Sequence, residues 1–225
     1  MWERFISMSL KNPLTLLASI TAWLPIIIAI YGRQKLTSEL KILLFYLITY
    51  VIFDILEWVT AAARLHNAYL HNINEWVGML ITGWLYFKIV ESSRTKQKVV
   101  ITLTLIAILN NIFRFSWEEV AGYSFTLNKA VVISFVFLHF HSIITEIRIS
   151  NILKHPPFWI SAAFLIFACG TLFIYLFWQY TISTTTQKEL FRLYFGNITQ
   201  LFIFTFMILL SIAFWTSKFT KQNVE

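Results

Sequence analysis

Apolar residues gather into seven runs, at 13–32, 41–63, 70–90, 98–117, 126–147, 157–180 and 190–216, separated by short polar breaks. About 20 helical residues cross a hydrocarbon core of roughly 30 Å, so each run is long enough for a transmembrane helix. The pattern predicts an all-α membrane protein. Residues 1–225 form a single seven-transmembrane helix bundle, because the connecting segments leave no room for a soluble domain.

Pro25, inside the first run, should kink that helix, since proline lacks the N–H and its ring crowds the preceding turn. The prolines of Pro156-Pro157-Phe158-Trp159 suit a loop and a first helical turn. Gly170, between Cys169 and Thr171, marks a face where another helix approaches closely. Ahead of the first run, Trp2, Phe5, Ile6 and Leu10 form an apolar stripe suited to a short interfacial helix. Glu3, Arg4 and the lack of a small-residue cleavage site speak against a secretory signal peptide.

The composition agrees with lipid as the solvent: 58% of residues are hydrophobic and 13% charged, a balance that a water-exposed surface does not carry. Lys and Arg at alternate run ends divide eleven to seven. The larger set is Arg33, Lys35, Lys41, Lys88, Arg94, Lys96, Lys98, Arg148, Lys154, Lys218 and Lys221, and the smaller is Arg4, Lys11, Arg64, Arg114, Lys129, Lys188 and Arg192. The larger set is expected in the cytoplasm, with the N-terminus outside and the C-terminus cytoplasmic. Loops held against anionic lipid account for the net charge of +7, and nothing calls for a nucleic-acid partner. Trp58, Trp76, Trp117, Trp159, Trp178 and Trp215 lie near run ends, where tryptophan anchors a helix at the interface; an aromatic cage for a cation is the alternative.

Charged side chains within the runs carry the functional signal. Asp54 and Glu57 share a helix face with Tyr50, at depths of roughly 14 and 9 Å below an outer end near Ala63. In the third run Glu75 reaches a similar layer, aligned with Asn72 and Thr82. The fourth run brings Asn110, Asn111 and Arg114 within one turn, and the Arg114 guanidinium is the natural counter-charge for Glu57 or Glu75. The seventh run adds Tyr194, Asn197 and Gln200, with Arg192 near its mouth. Asp54, Glu57, Glu75, Asn110, Asn111, Arg114, Asn197 and Gln200 are therefore the candidate ligand-binding residues of a polar layer in the outer half. Three carboxylates against Arg114 leave acids unpaired unless Lys129, Arg192, a proton or a ligand joins. A purely structural network of interhelical hydrogen bonds is the competing reading.

His139 and His141 in the fifth run are two residues apart and point ~200° from each other, so they cannot form a helical metal pair. One is suited to a hydrogen-bonded interior position, and proton sensing is the alternative for either. His66, His71 and His155 fall in loops. No metal site, cofactor or catalytic set emerges: there is no phosphate-binding glycine loop and no Ser or Cys nucleophile beside a base. A retinal-binding bundle would need a lysine midway along the seventh run, a zinc hydrolase of the ceramidase type several helical histidines, and a carrier of the three-plus-one-plus-three type a Pro-Gln pair. None is present.

Three stretches recur together: Leu70-His71-Asn72-Ile73-Asn74-Glu75-Trp76, Lys154-His155-Pro156-Pro157-Phe158-Trp159-Ile160 and Phe195-Gly196-Asn197-Ile198. In these the chain resembles the uncharacterised small seven-helix integral membrane proteins of Bacteroidota. Glu75-Trp76 matches an acid-aromatic pair of that group, while the preceding residues have drifted from it. The resemblance implies a bacterial inner membrane and seven helices, and brings no activity with it. Three functions stay open: a receptor-like sensor read by a cytoplasmic or membrane protein partner, a small-solute or proton-coupled transporter, and a structural subunit of a membrane complex. Polar groups thin out in the inner halves of the runs, which favours the sensor.

Overall fold

The structure is a computed structural model that describes residues 13–32, 36–91, 93–146, 151–177 and 185–220, without the side chains of 146, 185–195 and 218–220. The stripe of Trp2, Phe5, Ile6 and Leu10, Trp178, and the side chains of Arg192 and Tyr194 lie outside the described residues. Every regular element described is helical.

The first run forms two pieces, α1 (Pro13–Thr21) and α2 (Trp23–Tyr31). The break falls at Ala22, three residues before Pro25, whose ring disfavours a hydrogen bond to the Thr21 carbonyl. Ala22 keeps right-handed dihedrals (φ −61, ψ −24), so the interruption is a kink and not a loop. The chain continues through α3 (Ser38–Ala62), α4 (Ala68–Ile89), α5 (Arg94–Phe113), α6 (Gly122–Glu146), a short 3-10 turn (Ile152–Lys154), α7 (Pro156–Leu176) and α8 (Thr185–Thr220). Pro156 and Pro157 occupy the first turn of α7, as the missing N–H groups permit.

Six helices are long and apolar enough to cross a membrane: Pro13–Tyr31, Ser38–Ala62, Arg94–Phe113, Gly122–Thr145, Pro156–Leu176 and Gly196–Ser217. The chain is a multi-pass membrane protein. The remaining helix, α4, has the length but carries His71, Asn72, Asn74, Glu75 and Lys88. It packs against α3, α5 and α6, and along it only Leu80 and Trp84 are exposed. A helix shielded by its neighbours can keep polar groups that a lipid-facing helix cannot. The ring closes where α8 packs along α7 and against α1 and α2.

Two helix boundaries differ from the pattern of apolar runs. α5 ends at Phe113 and α6 begins at Gly122, both about four residues earlier than the runs suggest. The buried Asn72 of α4 accounts for the break. Its Nδ2 donates to the Ser116 and Glu119 carbonyls at 2.7 and 2.9 Å, and its Oδ1 accepts from the Ala121 N–H at 3.1 Å. This side chain gives the α5–α6 loop the backbone partners that a helix would otherwise supply.

The two halves of the bundle pack differently. At the end holding the starts of α3, α5 and α7, Leu40, Leu43, Leu47, Leu85, Tyr86, Phe135, Ile160, Ala163, Met207, Leu210 and Phe214 form a contiguous buried core. Helices approach closely where glycine permits it: a Cβ on Gly83 would collide with Thr104, and one on Gly170 with the Phe202 ring. The opposite half contains a cavity.

Candidate functional site

Four helices present polar stripes to one space. On α3, Tyr46, Tyr50, Asp54, Glu57, Trp58 and Ala61 recur at spacings that keep them on one face; on α4, His71, Glu75, Gly78 and Thr82 do the same. Asn128 and Lys129 of α6 and Gln200 of α8 complete the polar wall. The space between them is about 460 Å³, within the range of small-molecule sites. Asn67 and Val120, both in loops, line the end nearest the α3–α4 and α5–α6 connections. Thr82, Phe164 and Ile203 line its deeper part, and Tyr46, Phe164, Phe167 and Phe206 form a floor of edge-on and tilted rings with centroids 5.0–6.4 Å apart. Beneath that floor lies the packed half.

Two of the three acids have basic partners. Lys129 Nζ donates to Glu75 Oε1 at 2.8 Å and lies over the Phe167 and Tyr175 rings, 5.0 and 5.6 Å from their centroids. His71 Nδ1 is 3.3 Å from Glu57 Oε1. Burial makes the first pair the costlier to break, with Lys129 8% and Glu75 18% exposed at the side chain against 34% and 27% for His71 and Glu57. Asp54 sits beside the Ser19 hydroxyl, whose oxygen accepts from Trp58 Nε1 at 3.1 Å. These contacts join α6 to α4, α4 to α3, and α3 to α1 across the cavity.

Of the residues expected in the polar layer, Asp54, Glu57, Glu75 and Gln200 line the cavity. The others do not. Asn110 donates to Ser124 Oγ at 3.1 Å, Asn111 is buried with neither side-chain atom hydrogen-bonded, and Asn197 is exposed. Arg114 is exposed at the end of α5, with its guanidinium 5.7 Å from the Tyr123 ring centroid. The counter-charge of Glu75 is therefore Lys129 and not Arg114. The early end of α5 carries Arg114 out of the layer, and the early start of α6 carries Lys129 seven residues, ~10 Å, into it.

His71 also departs from its expected place: it lies in the first turn of α4 and not in a loop. Its i, i+4 relation to Glu75 was readable from the sequence. Trp58 lines the cavity in addition to lying near a helix end. Asn128, 2% exposed, borders the cavity beside Glu75 without reaching hydrogen-bonding geometry with any group.

The two histidines of α6 part as their spacing requires. His139 is buried in the packed half, its Nδ1 2.7 Å from Ser161 Oγ, which also accepts from Tyr86 Oη at 3.2 Å; His141 is exposed. At the end of the 3-10 turn, burial holds the His155 imidazole below its ordinary value, opposed by the Glu39 carboxylate. Among the described residues no three His, Cys, Asp or Glu side chains gather closely enough to hold a metal ion.

The cavity therefore offers carboxylates, aromatic faces and an unsatisfied amide, which suit binding better than bond-breaking. The chain matches no protein-family model, and no curated protein or solved structure is similar to it.

Proposed function

We propose that this protein is a receptor-like sensor of a bacterial inner membrane, with seven spans counting α4, its N-terminus outside and its C-terminus cytoplasmic. Its cavity takes a small solute from the outer side. The observation that carries this reading is the asymmetry of the bundle: a cavity reaching the loops at one end and a packed apolar core across the other half. The cavity end is also the end with fewer Lys and Arg, which supports an outward mouth. A solute seated among Glu57, Glu75 and their partners shifts the spacing of α3, α4 and α6 through the ion pairs that join them, provided it binds the two spacings unequally. The change is read by a cytoplasmic or membrane protein partner.

Sided modification tests this directly. Gly78→Cys, in a Cys169→Ser background, puts a thiol in the cavity wall, where a Cβ has ordinary contact with the Tyr46 ring at 3.7 Å. Trimethylammonioethyl methanethiosulfonate, whose permanent charge keeps it from crossing the bilayer, is expected to modify it in intact spheroplasts and not from the inner face of inverted vesicles. Modification only from the inner face reverses the orientation, and modification from neither face removes the pocket. A carrier is the second reading, favoured by the buried His139–Ser161–Tyr86 chain, which extends polar groups into the packed half. Modification of Gly78→Cys from both faces selects it.

A further inference from the structure

We propose that the solute is a small organic cation whose ammonium group binds Asp54, an assignment that rests on the cavity being an open pocket. The three carboxylates of the cavity are not equivalent. Glu75 is held by Lys129 at 2.8 Å and Glu57 by His71 at 3.3 Å, whereas Asp54 has no cationic partner among the described residues. A carboxylate several turns inside a membrane bundle is costly to leave without a counter-charge. Its surroundings select the form of that charge. Tyr50 and Trp58 stand one turn before and one turn after Asp54 on the same face of α3, and both line the cavity. An acid between two aromatic rings suits an alkylammonium, which gains a charge-assisted hydrogen bond from the acid and cation–π attraction from the rings.

A second, independent feature shows that the wall is incomplete for a polar ligand. Asn128 is 2% exposed and borders the cavity beside the Glu75 carboxylate, and its side-chain amide makes no hydrogen bond of good geometry. A buried primary amide in that state is a place for the polar group of a ligand. Anions are disfavoured by the three carboxylates, since Lys129, the one lysine lining the cavity among the described residues, is already engaged. Divalent metals seek several converging oxygens, and no three acidic or imidazole groups converge among the described residues.

The test uses three phenols that share a frame and differ in charge: tyramine, its neutral alcohol analogue tyrosol, and the anion hydroxyphenylacetate. Each is added to the purified full chain in detergent while thermal unfolding is followed, and each is tested for protection of Gly78→Cys from modification. Tyramine is expected to raise Tm saturably and to slow modification, while tyrosol and hydroxyphenylacetate do neither at the same concentrations. Asp54→Asn, which keeps the side-chain shape, is expected to weaken tyramine binding at least tenfold. The protection measurement needs no change at Asp54, so it stands if that variant fails to fold.

Equal effects of tyrosol and tyramine, or undiminished tyramine binding in Asp54→Asn, overturn the cation assignment and leave the pocket in place. Absence of any tyramine effect on a protein whose Gly78→Cys is readily modified overturns it in the same way. Failure of Gly78→Cys to react removes the pocket, and the cation site with it.

Discussion

The half of the bundle around Asp54 and the half around Phe135 are built from the same helices but hold their interiors in different ways. In the packed half, Leu43, Leu85, Tyr86, Phe135, Ile160 and Met207 are fully buried and fill the space between helices. In the cavity half the same helices carry acids, bases and aromatic rings at i, i+4 spacing, and their long side chains meet across an open space. In lipid the hydrophobic effect gives helices little reason to associate, so packing and polar contacts must hold them. One half relies on packing and the other on ion pairs. The two should therefore respond to different substitutions.

The largest expected effect is at Lys129. Lys129→Met leaves Glu75 inside the bundle without its partner, at a cost of about 3–5 kcal/mol, and adding Glu75→Gln should recover most of it. Chemical unfolding of both single variants and the double variant in detergent measures the coupling; additive losses would mean that the 2.8 Å contact does not hold the cavity half together. In the packed half, Phe135→Ala empties a fully buried site and should cost about 3 kcal/mol. Gln200→Ala, facing the cavity, should stay within about 0.5 kcal/mol. Equal costs at those two positions would erase the distinction between the halves.

A smaller loss, about 2 kcal/mol, is expected for Asn72→Ala, which removes three hydrogen bonds to the α5–α6 loop. Amide exchange should accelerate in residues 114–121 and leave the packed core unchanged. Acceleration spread through both halves would show that the loop and the core open together. One substitution should bring a gain. Arg64 has φ 63 after the end of α3, where its N–H donates to Ala61 and that of Leu65 to Thr60, the pairing in which glycine is favoured. Arg64→Gly should stabilise the protein by about 1 kcal/mol, read as a rise in Tm.

Much of the architecture was legible in the hydrophobic pattern because lipid demands long apolar runs, and the kink near Pro25 and close contact at Gly170 followed from steric properties of single residues. The α5–α6 connection was not legible. Phe115 and Trp117 extend the fourth run in apolar character, while the loop is fixed by Asn72, more than forty residues away. Conversely, Gly122 and Ser124 kept the first turn of α6 outside the fifth run. Those two boundaries decide which base enters the polar layer, so Arg114 was the expected partner of Glu57 or Glu75, and the observed partners are His71 and Lys129. Asp54, Glu57, Glu75 and Gln200 could be singled out as polar residues within apolar runs. Asn128, also polar and inside the fifth run, borders the cavity as well, so its place was readable by the same signal.

The difference between the halves comes down to whether water reaches one interior and not the other. Single-cysteine variants at Gly78 and Ala163, each in the Cys169→Ser background, place one thiol in the cavity wall and one in the packed core. Their rates of modification by aminoethyl methanethiosulfonate can be compared in the same detergent-solubilised protein. Gly78→Cys is expected to react at least tenfold faster than Ala163→Cys, and equal rates would contradict a hydrated half set against a dry one.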